Sequence, residues 1–167
     1  MSRRHIPGWL FVILSGWLIG EIAVLWPRLP ARLATHFAIS GEPNGWSTPS
    51  QFLMMMATLL GIFVVLFTMA GWLDRVPDRF LNLPNKGYWL ITDRRGAALA
   101  TLREWLRWLL VITFAALVGL MSAMLQANLL EAPRLSINPL VAIAGLVLPQ
   151  LIMIAWLYRR FRVPRDA

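Results

Sequence analysis

Four apolar segments constrain this chain more than any other feature of its sequence. They lie at residues 9–26, 53–73, 107–127 and 139–158, and each contains at most one charged residue. About 20 apolar residues in a helix cross the hydrocarbon core of a bilayer. Only 14% of the residues are charged, whereas soluble domains carry about 25%. The pattern predicts an all-α membrane protein with four transmembrane helices in a single domain, residues 1–167.

The first apolar segment has an alternative interpretation as a cleaved signal peptide, because basic residues precede it. We favour a retained helix, because the segment is longer than the roughly 15 residues that bound the apolar part of a signal peptide. In addition, Trp26 and Pro27 stand where a cleavage site requires small residues.

The basic residues predict how the four helices are oriented. With four spans, thirteen Lys and Arg residues fall on one side of the membrane and three on the other. Because segments rich in Lys and Arg stay in the cytoplasm, we expect both termini inside the cell. Residues 27–52 then form an outer loop, and residues 74–104 form an inner loop that faces anionic lipid. This distribution accounts for the net charge of +8, so we expect no nucleic-acid partner.

The outer loop is predicted to be structured. Residues 29–37 are suited to a short helix or strand, and residues 40–45 are dense in turn-forming residues. Trp46 and Phe52 are expected at the lipid interface. In the inner loop, Asp93 is a candidate N-cap of an amphipathic helix that continues into the third span.

Glu21 is the clearest anomaly within the apolar segments. It precedes Trp26 by five residues, which places it roughly 7 Å below the outer interface in a regular helix. An ionisable residue at this depth is a functional candidate by default. It could pair with Arg28 or Arg32, hold a proton, or bind a cationic ligand; the structural alternative is pairing within the helix bundle. A functional role predicts that Glu21→Gln abolishes activity and leaves expression intact.

Enzyme and metal chemistry have little support in this sequence. The chain has no Cys, which excludes thiolate catalysis, disulfides and Cys-ligated metals. The two histidines, His5 and His36, are predicted on opposite sides of the membrane and cannot share a metal. The hydroxyl side chains of residues 40–50 have only His36 as a nearby base, and no G-x-S-x-G elbow is present. We expect no enzyme activity, no cofactor and no metal.

Ligand binding is the function that the outer loop favours. Aromatic anchors and polar groups that orient a partner dominate recognition surfaces, and both kinds of side chain are present. The predicted ligand-binding residues are Glu21, Trp26, His36, Phe37, Glu42, Asn44 and Trp46.

The same loop resembles a known family. Residues 26–30 (WPRLP), 35–37 (THF) and 41–46 (GEPNGW) are similar to bacterial membrane proteins that carry the domain of unknown function sixteen-forty-eight, and residues 83–90 (LPNKGYWL) are similar to a second block of that group. The domain is shared with SdpI-type immunity proteins, which protect a cell from a secreted toxic peptide. The resemblance implies a bacterial inner-membrane protein that recognises an extracellular peptide toxin or another ligand.

The chain departs from the family pattern at two positions of the outer loop. Asn44 stands where an Asp is usual, and Ser47 stands where a Lys follows the Trp. A pair of opposite charges in the outer loop is therefore absent from this sequence.

Two other classes of function remain open. A proton- or cation-coupled transporter would use Glu21 and the helix break predicted at Pro149, and it would need a homo-oligomer because four spans are few for a carrier. A structural subunit of a membrane complex would use the small residues Ala115, Gly119 and Ala123 for close helix packing. Non-enzymatic recognition, with immunity or envelope sensing as its role, is the leading interpretation.

Overall fold

The computed structural model of the protein describes residues 5–164. Arg3, Arg4 and Arg165, which enter the predicted orientation, lie outside the described residues. Besides three short 3-10 helices, the described chain contains five α-helices and two β-strands: α1 (Ile6–Leu25), β1 (Leu33–Phe37), β2 (Pro43–Ser47), α2 (Pro49–Gly71), α3 (Lys86–Trp89), α4 (Thr92–Ala127) and α5 (Pro139–Arg160). Following the predicted orientation, we call the side with the hairpin β1–β2 the outer side, and the side with residues 74–104 the inner side.

Within the described residues, α1, α2, α4 and α5 are each long and apolar enough to cross a membrane. The predicted class, a helical protein with four transmembrane spans, is therefore confirmed. The helices extend beyond the predicted spans where local signals allow it. Helix α2 begins at Pro49 because Thr48 and Gln51 form a reciprocal capping box. Helix α4 has 36 residues because the amphipathic segment runs into the third span without a break.

The predicted N-cap of α4 is wrong by two residues. The helix begins at Thr92, with Ile91 in the extended conformation as its N-cap, so Asp93 lies inside the first turn. An acidic side chain there is favourable, because it faces the positive end of the helix dipole.

Helix α4 is the centre of the bundle. It packs against α1, α2 and α5, and the side chain of Phe114 is fully buried. The ring centroids of Phe11 on α1 and Phe63 on α2 both lie 4.9 Å from that of Phe114. Because lipid tails are as apolar as leucine, such packing and interhelical hydrogen bonds hold transmembrane helices together. Helix α5 lies to one side of this core and packs against α4.

The inner segment between α2 and α4 is fastened to the start of α4 by two ion pairs. Arg95 pairs with Asp78 at 3.0 Å, and Arg103 pairs with Asp74. Leu81 and Leu83 are buried in one cluster with Leu99 and Leu102 of the same stretch of α4. The inner segment is therefore an ordered layer on the inner side of the bundle.

The outer loop folds into an antiparallel hairpin with an irregular register. Strand β1 pairs with β2, with Ala34 opposite Trp46 and His36 opposite Gly45. The chain reverses at residues 38–42, where Gly41 has a φ of 82° that disfavours any residue with a Cβ. The predicted turn at residues 40–45 is thus too long, because Pro43–Ser47 joins the second strand.

The prediction that Phe52 lies at the lipid interface is wrong. Its side chain is 2% exposed and belongs to the core formed by α1, α2 and α4. The reason is the early start of α2, which turns this residue inward. Trp46, in contrast, is 41% exposed on the hairpin.

Asn128 attaches the hairpin to the outer end of α4. Its Oδ1 accepts a hydrogen bond from the Ala34 N–H at 2.7 Å, and its Nδ2 donates to the Ala34 carbonyl at 2.9 Å. The same Nδ2 also donates to the Met124 carbonyl, and Asn128 is 6% exposed. The amide side chain therefore pairs with both backbone groups of Ala34, as a neighbouring strand would. Buried backbone groups require such partners.

We predict that Asn128→Ala loosens the hairpin. The substitution leaves the Ala34 N–H and carbonyl without partners, at a cost of about 1–3 kcal/mol for each buried group. The expected results are a lower thermal unfolding temperature in detergent and faster hydrogen exchange at residues 33–37. The exposed Asn44→Ala variant is the matched control. Unchanged exchange in Asn128→Ala would contradict this role.

Candidate functional site

An open cavity of about 550 Å³ lies between the outer halves of α4 and α5, with strand β1 at one end and the exposed residues Gly119, Val141 and Gly145 in its lining. Its volume is within the range of small-molecule sites, about 300–1,000 Å³. Three hairpin residues, Thr35, His36 and Phe37, line it together with apolar residues of α4, α5 and the connecting loop. We call this space the α4–α5 cavity.

Small residues on both helices create the cavity. Ala116 and Gly119 line it from α4, and Ala142 and Gly145 line it from α5. A Cβ added at Gly119 or at Gly145 would meet no atom within 4 Å. Gly119 therefore makes no close helix contact within the described chain, and its predicted use in packing against another subunit stays a prediction. Ala123, one turn further, is 7% exposed and does pack in the core.

His36 and Thr35 supply the polar end of the cavity. The Thr35 Oγ1 and His36 Nδ1 atoms lie 3.4 Å apart. The position of His36 depends on Gly45 across the strand pair, since a Cβ at residue 45 would lie 2.8 Å from the His36 Cβ. The polar end thus carries hydrogen-bonding groups above an otherwise apolar lining, the usual composition of a ligand pocket.

The other predicted residues of the hairpin lie on its exposed surface. Glu42 and Asn44 are exposed near the turn. Trp46 lies beneath the guanidinium of Arg32, whose Cζ is 5.3 Å from the ring centroid. This cation–π contact orients the indole at the surface of the hairpin.

Trp26 belongs to a second apolar space. A groove of about 460 Å³ runs between α1 and α2, and Trp26 lines it together with Ile22 and Met56. Its lining is almost entirely apolar, as expected for a surface that lipid chains fill. Trp26 is therefore placed apart from His36 and Phe37.

Glu21 is engaged with α4. Its carboxylate accepts hydrogen bonds from the Ser122 hydroxyl and from the Gln126 amide, the latter at 3.2 Å. The predicted pairing with Arg28 or Arg32 is not made. These contacts tie α1 to α4 within the membrane, and they favour the structural interpretation of Glu21.

The seven predicted ligand-binding residues thus do not form one surface. His36 and Phe37 share the α4–α5 cavity, while the others occupy the hairpin surface, the α1–α2 groove and the α1–α4 contact. Thr35 and the small residues of α5 line the cavity but were not among the predicted site residues. The spacing of Ala142 and Gly145 within an apolar span is a weak signal for them, because the same pattern indicates close helix packing.

The comparison with protein families identifies one domain. Residues 11–61 match the family model described as Domain of unknown function (DUF1648). The chain carries a DUF1648 domain. This confirms the domain predicted from the outer-loop motifs. The DUF1648 match covers less than a third of the chain and contains all seven predicted ligand-binding residues, whereas α4 and α5 lie outside it. No significant match was found among curated proteins or solved structures.

We predict that Glu21→Ala lowers stability and that Glu21→Gln retains most of it. The alanine removes the acceptor for Ser122 and Gln126, and hydrogen bonds between transmembrane helices contribute about 0.6–1.7 kcal/mol each. The amide oxygen of Gln can still accept. Thermal unfolding in detergent measures the difference. Thr68→Ala is the control, because its hydroxyl donates within its own helix to Val64. Equal losses in both Glu21 variants would show that the charge matters instead of the hydrogen bonds.

Proposed function

We propose that this protein is a non-enzymatic receptor of the bacterial inner membrane, of the SdpI-like immunity or sensing type. It binds an apolar peptide or small ligand in the α4–α5 cavity, with the hairpin in contact with the polar part of that ligand. The observation that carries the proposal is the position of Thr35, His36 and Phe37 at one end of an otherwise apolar cavity.

The chemistry of the lining defines the ligand. Side chains of α4 and α5 offer only apolar contact, so the buried part of the ligand is a hydrocarbon or an apolar side chain. The imidazole of His36 and the hydroxyl of Thr35 can hydrogen-bond one polar group beside it. Hydrophobic toxic peptides that act on membranes combine these two parts, which supports an immunity role.

The two polar groups at the end of the cavity lie close together. The Thr35 Oγ1 and His36 Nδ1 atoms are 3.4 Å apart, so both can contact the same polar group of a ligand. This arrangement supports a role in orienting that ligand.

The charge distribution supports binding of a ligand from outside the cell. The inner side carries the two ion pairs described above and an excess of exposed arginines, including Arg79, Arg159 and Arg160. Arginines there attract anionic lipid, which keeps this side in the cytoplasm. The hairpin then faces the outside of the cell, where a secreted ligand is encountered.

We predict that filling the cavity abolishes protection. Cells that lack this protein should stop growing at a dilution of their own strain's spent medium that the parent tolerates. Restored wild-type protein should recover tolerance. Gly145→Leu should lower the tolerated concentration of spent medium tenfold or more. A loss of about 1.4 kcal/mol in binding free energy already lowers affinity tenfold.

Gly61→Leu is the matched control for this experiment. Gly61 is also a helical glycine at which a Cβ meets no atom within 4 Å, but it lies on α2, away from the cavity. It should protect as well as the wild type. Equal growth of the deletion strain and its parent would refute an immunity role, and full protection by Gly145→Leu would remove the cavity from the binding site.

A further inference from the structure

A groove of about 340 Å³ lies at the inner end of the bundle, between the start of α1 and the first part of α4. Pro7 lines it from α1, and Ala100, Arg103, Glu104 and Arg107 are among the residues that line it from α4. The groove is open to its surroundings, since Ala100 and Glu104 are exposed. We call it the α1–α4 groove.

Two opposite charges in this groove are not neutralised by other described residues. Glu104 and Arg107 lie three positions apart on α4, so both project from the same face of the helix. Neither forms an ion pair within the described chain, whereas Arg103 in the same groove is paired with Asp74. The groove therefore offers one cation and one anion side by side.

Arg107 is placed where it can bind an anion. A Cβ added at Gly71, the last residue of α2, would lie 3.6 Å from the Arg107 Nη2. The guanidinium thus lies beside the end of α2, and Arg107 is only partly exposed. A charge that is partly removed from water favours a partner of the opposite sign. The planar fork of a guanidinium matches the oxygens of a phosphate, to which it can donate two parallel hydrogen bonds.

The groove lies at the level of lipid head groups. Trp9 in the first turn of α1 and Trp72 directly after α2 are at the same end of the bundle, and both are more than half exposed. Exposed tryptophans mark the boundary between the hydrocarbon core and the head groups. A phospholipid of the leaflet on the inner side therefore presents its head group at the height of Glu104 and Arg107.

We propose that the α1–α4 groove binds the head group of a phospholipid that carries both a phosphate and a primary ammonium group. Arg107 donates hydrogen bonds to the phosphate, and the carboxylate of Glu104 accepts hydrogen bonds from the ammonium. This site is separate from the α4–α5 cavity and does not depend on the proposed function.

The two charges select this head group over two other common kinds. A glycerol head group has a phosphate for Arg107 but no cation for Glu104. A choline head group has a cation, but its quaternary ammonium has no N–H to donate to a carboxylate. An ethanolamine head group satisfies both side chains.

The test measures lipid binding to the purified protein in detergent by native mass spectrometry. Phosphatidylethanolamine, phosphatidylglycerol and phosphatidylcholine with identical acyl chains are compared. The ethanolamine lipid should bind about tenfold more tightly than the other two, as expected for one more hydrogen bond between charged groups. Glu104→Gln should remove this preference, and Arg107→Gln should weaken binding of all three lipids. Arg159→Gln is the control, since Arg159 is exposed on the inner end of α5, outside the groove, and it should keep the wild-type preference.

A second variant tests the groove without changing a charge. Ala100→Leu places a larger side chain in the groove at an exposed position, so the fold should tolerate it. It should weaken binding of the ethanolamine lipid about tenfold, because it excludes the head group from the groove. Ala155→Leu is the matched control, since Ala155 is an exposed alanine of α5, and it should bind as the wild type does.

Three results would overturn the inference. Equal binding of the three lipids to the wild type would exclude recognition of the ammonium by Glu104. Wild-type binding by both Arg107→Gln and Ala100→Leu would exclude the groove as the site. Displacement of the bound lipid by an excess of inorganic phosphate would show that free phosphate, and not a lipid, is the ligand. The spent-medium experiment tests the α4–α5 cavity separately from all three.

Discussion

The paired hydrogen bonds between Asn128 and the backbone of Ala34 are the interaction on which the outer side of the structure depends. A hairpin of two short strands is marginally stable by itself in water. Here the Asn128 side chain at the end of α4 satisfies both backbone groups of Ala34. Strand β1 is thereby held against the bundle, and His36 and Phe37, further along the same strand, reach the α4–α5 cavity.

Specific polar contacts also organise the membrane-spanning part, together with side-chain packing. Hydrophobic burial does not drive helices together in lipid, so packing and polar contacts determine their arrangement. Helix α4 supplies both kinds of contact to its neighbours. Phe114 packs between α1 and α2, Ser122 and Gln126 bind Glu21 of α1, and Trp105 binds the backbone of α5. The outer half of α5 is where such contacts are fewest, and the cavity lies there.

Much of the architecture could be predicted from the sequence, because bilayer thickness sets the length of an apolar helix. The four spans follow from that constraint, and the continuous helix through Leu99 and Leu102 was predicted from the amphipathic pattern before the third span. The DUF1648 domain was recognisable from the local motif around His36 and Trp46. The early start of α2 could also have been predicted, since Thr48 and Gln51 have the spacing of a capping box. The predicted boundary was placed at Leu53 instead, because the apolar run begins there.

The site itself was much harder to predict, because it is built from contacts distant in sequence. Asn128 and Ala34 are 94 residues apart, and no local pattern links them. Glu21 stood out as a charge in an apolar span, yet nothing near it in sequence indicated Ser122 or Gln126 as its partners. A glycine such as Gly145 has the same appearance whether a neighbouring helix or empty space lies beside it. Only the packing distinguishes close contact from a cavity.

The central claim is that the hairpin faces the outside of the cell above a cavity within the membrane. The most direct test is the accessibility of the hairpin turn. Since the chain has no Cys, Ser40→Cys introduces a single thiol at an exposed position of that turn. A membrane-impermeant maleimide should label it in intact cells as fully as after lysis. Labelling only after lysis would place the hairpin in the cytoplasm and contradict recognition of an extracellular ligand.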